Sequence, residues 1–198
     1  MEDGATIGQS ITALSSQRAS VLVLGTDVRR ADRRSLDELV ARGTVRCLCV
    51  RTEPDAPSPP DADIITQEFP HRSAVPGTTS RDVGPQPIEG LGRAVRSRLA
   101  DTSEPVLVSI HSLAPLLAAG PTHVVAELLD TIRTLCPPEA GTVLAHLPVS
   151  RDHPAVAELT PACQAIVTLR RSGDTLEHRW EFPARESRSP WISLDDGW

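Results

Sequence analysis

The residues best placed for chemistry are His111 and Ser112, which interrupt an apolar run, Val106-Leu107-Val108-Ser109-Ile110. An imidazole at such a point could act as a general base or as a metal ligand. Adjacency does not make Ser112 its target, because neighbouring residues on a strand point to opposite faces, and no G-x-S-x-G elbow surrounds the serine. A hydrogen-bonded histidine at a strand end is the plain alternative. A second group, Arg29, Arg30, Arg33 and Arg34, crowds the loop after Val21–Gly25. Four guanidinium groups near a helix N-terminus could hold a phosphate or a partner's carboxylates. Asp27 and Asp32 could equally neutralise them as a solvated turn. Cys47 and Cys49 lie two apart and share one face of a strand. They could join Cys136, Cys163 or a histidine around zinc, but no C-x-x-C knuckle is present and small core packing explains them as well. His146 and His153 bracket the end of another apolar run, and with His111 they make a three-histidine alternative for a metal.

The elements that must position these residues follow from pattern. Val21–Gly25 reads as a strand ending in glycine. Ser35 and Glu38 have capping-box spacing ahead of Leu36, Leu39 and Val40, with Gly43 as a C-cap. Thr44–Val50 reads as the next strand, and strand, helix, strand makes one βαβ unit with a right-handed crossover. Asp63–Phe69 reads as a short third strand after the proline-rich loop PDAPSPP. Ile88, Leu91, Val95 and Leu99 fall on one helical face leading into the Val106 strand. Thr122–Leu135 is the strongest helix pattern, ended by Cys136-Pro137-Pro138. Thr142–Leu147 predicts a strand and His153–Leu159 a short helix. Ala165–Leu169 and Leu176–Phe182 predict a hairpin around Arg171-Ser172-Gly173-Asp174. The order predicts a three-layer α/β domain with a mainly parallel sheet and a C-terminal antiparallel hairpin. Residues 1–19 form an arm or short helix, 20–182 the domain, and 183–198 a tail. In an open sheet of this kind, ligands sit beyond the carboxyl ends of the strands, which is where His111 and Ser112 fall.

The layout from about Ser20 to Phe182 resembles the RecA/KaiC-like P-loop ATPase core, and more closely the degenerate KaiC-like proteins of haloarchaea. In that family the first strand ends in G-x-x-x-x-G-K-[ST]. Gly25 matches the opening glycine, but Arg30 stands at the second glycine, Ala31 at the lysine and Asp32 at the hydroxyl. The backbone cradle for phosphate, the cation for its terminal oxygens and the magnesium ligand are all lost. The family's later strand ends in Asp-Ser-Leu. Here it reads His111-Ser112-Leu113, and neutral imidazole is a poor ligand for magnesium. The resemblance implies a RecA-like fold whose degenerate nucleotide site comprises Gly25, Arg30, Ala31, Asp32, His111 and Ser112. It implies a noncatalytic adaptor or regulatory protein of archaeal type, with no cofactor. A nucleotide-binding protein or ATPase with an atypical phosphate loop is the alternative.

Composition narrows the rest. All 20 basic residues are arginine, and the net charge is −6, which argues against nonspecific binding to nucleic acid or anionic membranes. Two Phe, three Trp and no Tyr leave little for stacking bases. The beginning of the chain lacks the basic and apolar regions of a signal peptide, and no run is long enough to span a bilayer. Four cysteines without such a signal point to reduced thiols in a cytoplasm. The expected partner is a protein or a second copy of the chain. Trp191 and Trp198 in the tail could anchor it, or the tail could fold back on its own domain.

Overall fold

The computed structural model describes Leu14 and residues 17–26, 46–53, 62–67, 69, 87–138 and 141–194. Its centre is made from the runs richest in Val, Leu and Ile. Strand β1 (Ala19–Leu24), β4 (Val106–Ile110) and β5 (Gly141–Leu147) are buried at every residue. Continuous apolar runs of this sort belong to parallel strands covered on both faces. β2 (Arg46–Arg51), β3 (Asp63–Thr66) and β6 (Ala165–Ser172) complete the parallel part. β7 (Thr175–Phe182) returns antiparallel to β6, and β8 (Ser187–Arg188) and β9 (Ile192–Ser193) both pair with β7. Across the sheet the order is β3-β2-β4-β5-β1-β6-β7-β8.

Among the described residues these strands are accompanied by α1 (Pro87–Leu99), α2 (Ala114–Ala119), α3 (Thr122–Leu135) and α4 (Pro154–Leu159). The pleat divides the core in two. One face of the sheet, including Leu22, Leu48, Val108, Ile110, Val143 and Ile166, meets Leu91 and Val95 of α1, Leu129 and Ile132 of α3, and Val156 of α4. The other face, with Val21, Val23, Leu107, Leu144 and Val167, holds Trp180 and Phe182 of β7, and Leu14, Ile192 and Leu194 pack against it. The helix expected over Ser35–Gly43 lies outside the described residues.

Local chemistry explains the boundaries. Helix α3 buries Val125, Leu128, Leu129 and Ile132, each worth about 1.5–3 kcal/mol on full burial. It ends at Cys136, held extended at φ −66°, ψ 153°, because the following proline disfavours helical backbone at the residue before it. The hairpin turns on Gly173-Asp174, with Gly173 at φ 63°, so β6 runs on through Arg171 and Ser172, beyond its expected end. α2 is an element absent from the sequence reading. It is only six residues long, with Pro115 in its first turn, too short to display helical periodicity. β3 stops at Thr66, short of the expected Phe69, although Phe69 is itself buried. As far as Leu194 the tail folds back on its own domain: Leu194 N–H donates to Leu176 O at 2.8 Å, continuing the β9 pairing. Among the described residues, no helix is long and apolar enough to cross a membrane.

Candidate functional site at the carboxyl edge of the sheet

From β2 the chain proceeds outward to β3, whereas from β4 it proceeds the opposite way to β5. β2 and β4 are neighbours, so the strands that follow them lie on opposite sides of this pair. This is the topological switch point of an open α/β sheet, its usual ligand address. Arg51-Thr52-Glu53 leave β2 there, and His111-Ser112 leave β4.

Backbone pairing continues one residue past β4: His111 N–H donates to Val50 O at 2.9 Å. The buried Thr52 hydroxyl then donates to Ser112 O at 2.7 Å, tying the two strand ends together. Leu113 N–H reaches sideways to His146 O at 2.7 Å, which ties β4 to β5. The Ser112 hydroxyl accepts from Ala114 N–H at 3.3 Å and closes the turn into α2. Ser112 is therefore committed to the backbone, and its side chain is 1% exposed.

His111 is 9% exposed, and its Nε2 lies 3.9 Å from Glu53 Oε2. That separation exceeds a hydrogen bond, so the attraction is electrostatic and acts fully when the ring is protonated. His146, on the next strand, is 2% exposed and pairs across the sheet with Val23 of β1. Since Ile110 pairs with Ala145 and Val50 with Ile110, Arg51, His111 and His146 fall in one row on one face of the sheet. Gly25 follows β1 on the far side of β5, with φ 156°, a conformation that residues with a Cβ rarely adopt.

The other candidates separate. His153 caps α4, its Nδ1 accepting from Ala155 N–H at 3.3 Å. Cys136 and Cys163 lie in the helix-side core, and their thiols donate to Ile132 O and Leu159 O. Burial pushes Cys136 up to about 11, against the pull of Arg18 and Arg133, and Cys163 up to about 12. Cys47 packs against the opposite core, so the cysteines do not converge. Among the described residues no three His, Cys, Asp or Glu side chains gather in a way that could hold a metal ion. Trp191 sits against its own hairpin, with the guanidinium of Arg170 3.9 Å from its ring centre and that of Arg179 at 4.3 Å. Arg29, Arg30, Ala31, Asp32, Arg33, Arg34 and Trp198 lie outside the described residues.

Sequence reasoning reached His111 and Ser112 and missed Thr52 and Glu53. The signal was present: both immediately follow a strand that the pattern located, just ahead of the proline-rich loop. Only the pairing of β2 with β4 shows that this strand end faces His111.

No curated protein matches the chain. A family model does match, over residues 8–169, a stretch that takes in every element from β1 to the middle of β6. The chain thus belongs to DUF7504, a family of unknown function.

Proposed function

We propose that the protein is a noncatalytic, RecA/KaiC-like adaptor or regulatory protein that acts by binding other proteins. The observation that carries this reading is the end of β4. Where the resemblance calls for a magnesium-binding carboxylate, His111 stands nearly buried, and the neighbouring Ser112 is held by hydrogen bonds from the Thr52 hydroxyl and from Ala114 N–H. An imidazole cannot supply the hard oxygen that magnesium requires. The mainly parallel sheet, with Gly25 and His111 opening on the same edge, supports kinship with that scaffold. The phosphate-binding positions, Arg30, Ala31 and Asp32, have lost the residue types that would grip a nucleotide.

Thermal-shift titration of the purified protein with ATP, ADP and GTP in the presence of magnesium tests this. A flat response agrees with it. A shift that grows with ligand concentration, or ATP hydrolysis abolished by His111→Ala, rejects it.

A further inference from the structure

The outward-facing side of the C-terminal hairpin carries a concentration of arginine that the carboxyl-edge site does not use. β7 alternates strictly: Leu176, His178, Trp180 and Phe182 are buried, while Glu177, Arg179 and Glu181 point to the other side. Around them gather Arg151, Arg170 and Arg188. Both oxygens of Glu181 are occupied, by Arg151 Nε at 3.1 Å and by an Arg188 terminal nitrogen at 2.8 Å. Glu177 is held by Arg170 Nε at 2.7 Å. The four guanidinium groups thus have two carboxylates among them, and Arg179 receives neither. Among the described residues, its contact is the face of Trp191, and its buried Nε has no acceptor. Partial burial and the charges of Arg188, Arg170 and Arg151 disfavour its cation, and Glu181 offsets only part of this.

An arginine retains its charge at any working pH. Holding one beside three others and over an aromatic ring leaves an unmet demand for an anion. The planar fork is suited to a carboxylate. The side chains of Arg170 and Arg188 are 47% and 50% exposed, so a ligand can reach the cluster. Arginine and tryptophan are also among the residue types enriched at the energetic centres of protein interfaces.

We propose that this face of the hairpin, centred on Arg179 and Trp191, docks an acidic segment of a partner protein, with an Asp or Glu carboxylate meeting Arg179 between Arg170 and Arg188. The proposal rests on the adaptor reading and names the partner's chemistry. A short acidic peptide fits better than nucleic acid. The local surplus is two positive charges on a chain of net charge −6, whereas nucleic-acid affinity comes from neutralising many phosphates at once.

Fluorescein-labelled decaglutamate, decaglutamine and deca-deoxythymidylate, each titrated with the full chain and followed by anisotropy, test the surface. Decaglutamate binds saturably, more tightly at about 50 mM than at about 200 mM salt, and decaglutamine does not. Arg179→Gln weakens decaglutamate binding by about tenfold or more, Arg179→Lys restores part of it, and Arg93→Gln on α1 leaves it unchanged. Unfolding curves establish that Arg179→Gln is folded; if it is not, Arg188→Gln, at an exposed position, carries the same comparison. Absence of saturable decaglutamate binding, unchanged binding in the folded Arg179→Gln variant, or tighter binding of the oligonucleotide would overturn the proposal. An ATP-induced thermal shift with peptide binding intact defeats the noncatalytic reading alone, and leaves this surface standing.

Discussion

The indole N–H of Trp180 donates to Nδ1 of His178 at 2.9 Å, and both rings are buried, at 1% and 0% exposure. The two lie edge to face, 6.4 Å between centroids. The bond requires Nδ1 to be unprotonated, and burial pushes the His178 pKa from 6.5 down to about 4. The unfolded chain therefore binds a proton that the folded chain refuses. The resulting stability is complete above pH 6.5, declines as the pH falls through that interval, and is exhausted below about 4. The full difference is about 3 kcal/mol. Urea unfolding between pH 7 and pH 4 should show this loss, and His178→Phe should flatten the part of the slope that the histidine contributes.

Gly141 opens β5 where the chain returns from α3. A Cβ there would overlap Cβ of Cys136 and lie 3.1 Å from Pro137 O. These are backbone and near-backbone atoms that cannot rotate away. Gly141→Ala should cost about 1–3 kcal/mol, the usual penalty of overpacking. Gly92 within α1 is the control. Its Cβ would meet only Leu128 Cδ1 at 3.4 Å, an ordinary contact, so Gly92→Ala should stabilise the helix by up to about 1 kcal/mol. Paired thermal melts would separate the two.

Thr52 joins the ends of β2 and β4 through its hydroxyl. Thr52→Val keeps the branched shape and deletes the donor, leaving Ser112 O without it in a buried place. The expected loss is about 1–3 kcal/mol, and Thr52→Ser should recover most of it. Hydrogen exchange of the His111 amide, bonded to Val50 O, should quicken in the valine variant and stay slow in the serine variant. Equal exchange in both would show that the strand ends do not depend on this tie.

Local pattern made several elements legible in the amino-acid sequence. The 3.6-residue spacing of Val125, Leu128, Leu129 and Ile132 located α3, and Cys136-Pro137 its end. The Val106–Ile110 run marked β4 with both boundaries. His111 was legible as a residue at a strand end, because a polar group after a buried run stands out. α2 was not, since two turns carry too little periodicity to read. The course of the tail was not either. β8 and β9 are two-residue contacts with β7, and nothing within Pro183–Leu194 reports the strand it will meet.

Sequence alone located the long strands of the sheet and the helices α1, α3 and α4, because those preferences depend on neighbours a few residues away along the chain. Tertiary structure decided which strands lie side by side. It placed β2 against β4, bringing Thr52 to Ser112 across 60 residues and Glu53 to His111, and it set Trp191 against two arginines of a hairpin. Such meetings follow from burying both faces of one sheet under right-handed crossovers, a condition the whole chain satisfies at once and no short stretch of it encodes.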